Sequence, residues 1–272
     1  MSPSSPKTNG AVRLVASDLD GTLMRADDSV SEHTLAALAR TVAAGIRFVL
    51  VSARAPGWLA PAAAQLGLDG IGICCNGAVV YDYETERILI HRPLDPEIAR
   101  ALVDELRQAA PGLAIGCERP SGFTAEPAYI PLFRPPDSIP RADVAELLAT
   151  PLTKLVLQHP SLPQPDLHAL AAELGGEQVE ACYSGAGLVE IAAPGVTKGT
   201  ALAELCAQLE ITAAEVVAFG DMLNDIPMLI WAGRGVAVEN AHPDVLEVAD
   251  EITLSNDDDG VAVVLEEMVT TR

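Results

Sequence analysis

Apolar residues along this chain fall into short unbroken blocks, separated by stretches in which they recur every three or four positions. Residues 11–17 (AVRLVAS) form a β-favouring block that ends at Asp18, and Gly21 with Thr22 turns the chain just beyond it. Ser31 with Thr34 opens a helix whose apolar spacing runs through TLAALARTVAAG to a stop at Gly45. Ile46–Val51 is a second buried-strand block, Pro56 to Leu66 a helix stopped by Gly67, and residues 71–75 a third strand with Asn76-Gly77 as its turn. Near-continuous apolar strands alternating with helices predict a parallel sheet covered on both faces. Ligand sites in such sheets lie beyond the carboxyl ends of the strands. Asp18, Ser52 and Asn76 stand at three such ends.

The middle of the chain has a different texture. After Ile88–Ile90 come a helix from Pro96 to Ala110, Gly/Pro-rich material from Pro111 to Pro140, a short helix at Val144–Leu148 and a strand at Thr153–Gln158. Leu167–Leu174 is helical and Leu188–Ala192 extended. Residues 84–187 are read as a second, α+β domain inserted into a core of residues 11–83 and 188–272, with residues 1–10 a disordered tail. From Lys198 the periodic pattern resumes: helix 198–209, strand 215–219, the polar cluster GDMLND at 220–225, a short helix at Pro227–Ala232 and a brief strand at Val236–Val238. The acidic run Asn256 to Gly260 reads as a solvated turn that caps a last helix.

Composition narrows the function. The chain has 17 Lys and Arg against 38 Asp and Glu, a formal charge of −21, and it is 49% hydrophobic, which excludes a largely disordered chain. Without a clustered basic footprint, nucleic acid is not expected as a partner, nor an anionic membrane. Five cysteines, odd in number and without a C-x-x-C pair, argue against a disulfide framework or a structural zinc site. No secretory or membrane-spanning run is legible, so a soluble cytoplasmic protein is expected. Monomer and homodimer both remain open.

Candidate chemistry gathers at the strand ends. In Asp18-Leu19-Asp20-Gly21-Thr22, residues two apart on extended backbone face one side, so both carboxylates can converge on one volume. Two such charges need a cation between them or a proton on one; an ordinary Asp/Gly turn would carry the same residues. In Gly220-Asp221-Met222-Leu223-Asn224-Asp225, a helical turn after Asp221 returns Asp225 to the same side. These hard oxygens suit Mg²⁺, although Asp221 alone would also serve as a helix N-cap. Lys198 is one of three lysines and stands at a helix start, where the helix dipole disfavours it. Pairing with carboxylates or holding an anion would explain it. Ser52-Ala53-Arg54 offers a hydroxyl and a guanidinium, for an anion or an acidic neighbour, but the G-x-S-x-G elbow of serine hydrolases is absent. Lys154, in a strand of the middle segment, is read as facing solvent.

Taken in order, Asp18-Leu19-Asp20-Gly21-Thr22-Leu23, then Ser52, then Lys198 in V-T-K-G, then Gly220-Asp221 with Asn224-Asp225 resemble the four motifs of the haloacid-dehalogenase-like superfamily of phosphatases, specifically its Cof-type sugar-phosphatase branch. Relatives more often carry Thr-Gly-Arg at the second motif, where this chain has Ser52-Ala53-Arg54. Asn76-Gly77-Ala78 and the segment from Ser255-Asn256 to Gly260 resemble accessory signatures. The resemblance spans nearly the whole chain and implies an α/β fold: a Rossmann-like parallel-sheet core with an inserted α+β cap of type IIB lying over the site. Within that cap, the loops near Gly116–Phe123 and Cys182–Leu188 are the candidates for substrate contact.

By the same resemblance, Asp18 is the nucleophile that attacks phosphorus, and Asp20 the acid and then the base. Mg²⁺ is held by Asp18, the backbone carbonyl of Asp20 and Asp221, with Asp225 close by. Gly21, Thr22, Ser52, Lys198 and Asn224 are assigned to the phosphoryl group, and Ala53, Arg54, Asn76 and Gly77 to substrate or accessory roles. An aspartate ionised at neutral pH needs no activation to attack, whereas Asp20 is expected to hold its proton to higher pH than Asp18. The substrate is then a small phosphorylated metabolite, such as a sugar phosphate. A phosphomutase shares this chemistry, and a non-catalytic ligand-binding protein shares the fold.

Overall fold

The computed structural model describes residues 11–132, 138–183 and 187–270, so the tail expected at 1–10 and part of the Cys182–Leu188 loop lie outside the described residues. The chain divides into two compact units, Met1–Leu89 with Thr197–Arg272, and Ile90–Val196. The sequence places these boundaries at 84–187. The strand at Val189–Ala192 explains the difference at the second boundary, because it pairs within the sheet of the inserted unit.

The first unit begins with β1 (Leu14–Ser17), α1 (Glu32–Ala43), β2 (Arg47–Leu50), α2 (Pro56–Gln65), β3 (Ile71–Cys74) and β4 (Val79–Asp82), and leaves through β5 (Arg87–His91). β1 is buried throughout, as its unbroken apolar run requires. Ser31 caps α1 by accepting from the Thr34 amide at 2.9 Å. β3, β4 and β5 form a small meander that the sequence shows only in part, since β4 follows the Asn76-Gly77 turn without an element assigned to it.

The second unit contains α3 (Pro96–Ala109), β6 (Ala114–Arg119), β7 (Gly122–Ala125), α4 (Val144–Leu147), β8 (Lys154–Gln158), α5 (Gln164–Gly175), β9 (Glu180–Cys182) and β10 (Val189–Ala192). Its antiparallel sheet runs β7-β6-β8-β10-β9. β6 and β7 lie in the stretch read as Gly/Pro-rich loop; Phe123 folds over Gly116 of the paired strand, where a side chain on residue 116 would collide with its ring. One face packs Ile115, Cys117, Leu155, Leu157, Val189 and Ile191 against Leu102, Val103, Leu106 and Leu167 of the helices. Lys154 is not solvent-facing: it is buried and paired with Glu190.

The chain then returns through α6 (Lys198–Gln208), β11 (Val216–Gly220), α7 (Ile226–Trp231), β12 (Arg234–Val238), α8 (Pro243–Val248), β13 (Glu251–Thr253) and α9 (Gly260–Thr270). The main sheet is parallel, in the order β13-β12-β11-β1-β2, and a parallel bridge from Val51 to Ile73 continues it toward β3. α1 packs on α9, and α6 on α7. The acidic run before α9 is a turn with Asp257 and Asp258 exposed, as expected, and it also acts as a clasp. Asp259 pairs with Arg25 at 2.9 Å, Asp257 accepts from the Ala26 amide, and Asn256 donates to the Met24 carbonyl.

Candidate active site

β11, β1 and β2 are parallel neighbours, so their carboxyl ends open on one rim. Asp18 follows β1, Asp221 follows β11, and Ser52 stands two residues past β2. Lys198 is the first residue of α6, behind a reciprocal cap in which Thr197 and Thr200 each bond the other's amide at 3.0 Å.

Asp18, Asp221 and Asp225 are buried, and each brings a carboxylate oxygen within 4.8 Å of the others. The Lys198 ammonium donates to Asp18 Oδ1 and to Asp225 Oδ1, both at 2.6 Å. The other Asp225 oxygen accepts from the amides of Asp221 and Met222 at 3.0 and 2.9 Å, closing the turn at Leu223–Asp225. Thr22 donates to Asp221 Oδ1 at 2.6 Å. Gly21 has a φ of +83°, and a Cβ there would lie 2.6 Å from Asp221 Oδ2, so a side chain is excluded on two counts.

The remaining predicted residues are held by bonds of their own. Arg54 grips Asp20 with two prongs, Nη2 to Oδ1 at 2.5 Å and Nε to Oδ2 at 2.9 Å, and its amide donates to Ser52 Oγ at 3.1 Å. Ser52 is buried, and its carbonyl accepts from the Asn76 amide. Cys75, Asn76 and Gly77 all have positive φ. That turn presents the Asn76 side-chain oxygen Oδ1 to Asn224 Nδ2 at 3.0 Å. At Gly77 a Cβ would strike the Thr197 carbonyl, so the glycine admits the start of α6. The Ala53 backbone lies between Ser52 and Arg54 on this same turn.

Three expectations take a different form in the structure. The Asp20 carboxylate stands outside the three-aspartate cluster: β1 ends at Ser17, and Asp20 is exposed and bonded to Arg54. Thr22 spends its hydroxyl proton on Asp221 rather than on an anion. Asn224 points its amide at Asn76, leaving its buried Oδ1 without a partner. Sequence reasoning missed Asn240, which donates to the Gly21 carbonyl at 2.8 Å while accepting from the Asn256 amide at 2.9 Å. An isolated asparagine after a strand carries no signal of that role.

Burial pushes Asp18 well above the usual carboxylate range; Lys198 pulls it back, and Asp225 and Asp221 push it further up. Asp221 is raised to about 7, by burial first and then by Asp225. The Lys198 ammonium would be lowered by burial alone, but Asp18 and Asp225 hold it above the usual lysine value. Burial thus acts on the expected nucleophile itself. One ammonium among three buried carboxylates leaves negative charge uncompensated. A hard divalent cation supplies what is missing, and the oxygen-only donor set fits Mg²⁺.

An anion-transfer site at the strand ends of a parallel α/β sheet, with an α+β unit inserted in the chain, defines an aspartate-centred phosphohydrolase. The family model of haloacid dehalogenase-like hydrolases matches residues 15–265, and the chain belongs to that family, in its Cof-type branch. The pyridoxal phosphate phosphatase YbhA of Escherichia coli (strain K12) is 33% identical over 264 residues, spanning 92% of this chain and 96% of that protein. A haloacid dehalogenase-like hydrolase from Bacteroides thetaiotaomicron, solved by crystallography, superposes with a TM-score of 0.75 at 27% identity, over 94% of this chain and 99% of that one. The subclass IIB sugar phosphatase BT4131 shares the fold at 20% identity, with a TM-score of 0.78 over 94% of this chain and 98% of that one. The protein is a phosphatase acting on a small phosphorylated metabolite. Among the described residues no helix is long and apolar enough to cross a membrane.

Proposed function

We propose that this chain is an Mg²⁺-dependent phosphomonoesterase that works through a phosphoryl group carried on Asp18. The observation that supports it is the Lys198 bridge: a buried ammonium 2.6 Å from both Asp18 and Asp225 fixes the attacking carboxylate within the three-aspartate cluster. Asp18, the Asp20 backbone carbonyl and Asp221 would hold Mg²⁺, with Asp225 close by. When bound, the ion neutralises charge on the cluster and on the transferring phosphoryl group.

Asp18 attacks phosphorus through a carboxylate oxygen; the bond from phosphorus to the ester oxygen breaks, and that oxygen takes a proton from Asp20. Asp20 then accepts a proton from water as the water attacks the aspartyl-phosphate, which releases orthophosphate and restores Asp18. Ser52 and Lys198 hold phosphoryl oxygens. Thr22 orients Asp221, and Asn76 orients Asn224.

The substrate is read as a sugar phosphate. Pyridoxal 5′-phosphate is a second reading, carried by the 33% identity to YbhA. A panel of sugar phosphates, pyridoxal phosphate and nucleotides, assayed with Mg²⁺ for free orthophosphate, separates them. An isomerised sugar phosphate without free orthophosphate would show a mutase instead. Ligand binding without turnover across the panel would show a non-catalytic protein. A cytoplasmic location fits such a substrate.

A further inference from the structure

Two cations bond the carboxylates of this site, and they are placed differently. Lys198 is consumed inside it: its ammonium is 1% exposed and its bonds go to Asp18 and Asp225. Arg54 stands at the rim, where its side chain and that of Asp20 are 27% and 48% exposed. Its backbone is pinned, with the amide on Ser52 Oγ at 3.1 Å and the carbonyl accepting from the Cys75 amide at 2.9 Å. The guanidinium, which also touches the Met24 sulfur, is therefore a part-exposed fork on a fixed base, beside the hydroxyl expected to hold a phosphoryl oxygen.

That fork occupies both oxygens of Asp20. A carboxylate gripped through both oxygens is aimed at Arg54, and turning it toward a leaving oxygen requires that one prong let go. The planar pair of donors that matches a carboxylate also matches two phosphoryl oxygens. A phosphomonoester dianion entering a chain of charge −21 meets Arg54 as the exposed cation of this site.

We infer that Arg54 is a positioning residue that exchanges partners. It holds Asp20 until a phosphoryl group takes the fork, and so frees Asp20 for proton transfer only when the site is loaded. This rests on the phosphatase reading above. The exchange is non-covalent: two N–H···O bonds to the carboxylate are replaced by two to phosphoryl oxygens.

Phosphate affinity and the Asp20 charge are then coupled through Arg54, and a double-mutant cycle measures that coupling. The probe is orthophosphate, titrated calorimetrically into the full chain with Mg²⁺ present. Asp20→Asn frees the fork and is expected to tighten orthophosphate about fivefold, the scale of a half-exposed ion pair. Arg54→Met is expected to weaken it about tenfold, and in that background Asp20→Asn should change little. Equal tightening in both backgrounds would mean that only a repelling charge was removed, and would overturn the exchange, as would no tightening at all. A wild-type chain that hydrolyses phosphomonoesters and binds orthophosphate, yet shows no coupling, defeats the Arg54 role alone. A chain that does neither defeats the phosphatase reading and this inference together.

Discussion

The Lys198 ammonium lies 2.6 Å from Asp18 Oδ1, a contact made across 180 residues of sequence. It is also the counter-charge of Asp225, so a single side chain offsets two buried carboxylates. Replacing Lys198 by Met leaves both without a partner. The expected cost is about 3–5 kcal/mol in urea unfolding without metal. Turnover should fall about 10²-fold or more, because a group stabilising the transferring charge is gone. Added Mg²⁺ should recover part of the stability and little of the rate. A variant as stable and as active as the wild type would remove Lys198 from the site.

Asp18→Asn keeps the shape of the side chain and removes the charge. Since burial already disfavours that charge, the variant is expected to fold with undiminished stability. It should release orthophosphate at least about 10³-fold more slowly, as expected for loss of a nucleophile. Phosphate release in a stopped assay, with circular dichroism alongside, checks both halves. Retained turnover would assign the attack to another group.

Much of this site can be read without coordinates because its residues sit at chain positions that a parallel sheet makes equivalent. An apolar block followed by Asp18, another followed by Ser52 and a third followed by Asp221 predict one shared rim, and β11-β1-β2 adjacency delivers it. Side-chain direction is less legible. Period-two spacing puts Asp18 and Asp20 on one face only while the strand continues, and β1 ends at Ser17. Lys154 is a related case, since a lysine on a strand shows its burial only through its partner, Glu190. β6 is interrupted by Gly116, β7 spans four residues with Gly122 and Ala125, and β13 only three with Ile252 exposed, so their pairing comes from the sheet and not from their own pattern.

Thr22 and Gly21 fix Asp221 from one side. Thr22→Val removes a 2.6 Å bond to Asp221 Oδ1 and leaves the volume nearly unchanged. Loss of a partner that orients a metal ligand typically lowers metal affinity by about tenfold or more, so the half-saturating Mg²⁺ concentration should rise by about that factor. Thr22→Ser should stay near wild type. Gly21→Ala adds a Cβ that meets Asp221 Oδ2 at 2.6 Å, on backbone with φ of +83°. It should lower both Mg²⁺ affinity and stability, the latter by about 1–3 kcal/mol. Unchanged Mg²⁺ dependence in Thr22→Val would separate Asp221 from the metal.

Asp221 also gives the metal-free protein a pH-dependent stability whose sign follows from the fold. Its carboxyl is raised from 3.8 to about 7, chiefly by burial and next by Asp225. Between those values the folded chain holds a proton that the unfolded chain has released. The contribution is therefore fully present below about pH 4 and is lost as pH rises through 7. Asp18 is shifted in the same direction, and Lys198 does not titrate in this window. In EDTA, the melting temperature should fall between pH 5.5 and 8 by more in the wild type than in Asp221→Asn, which carries no charge at that position. At pH 8 the variant should be the more stable by about 1–3 kcal/mol, as when active-site charge is removed for stability at the expense of function. Mg²⁺ should raise the wild-type melting temperature at pH 8 and leave the variant nearly unmoved, because binding to the folded state stabilises only where the ligand set is intact. Parallel pH profiles for the two proteins would show that the Asp221 carboxylate is not under the strain that its burial imposes.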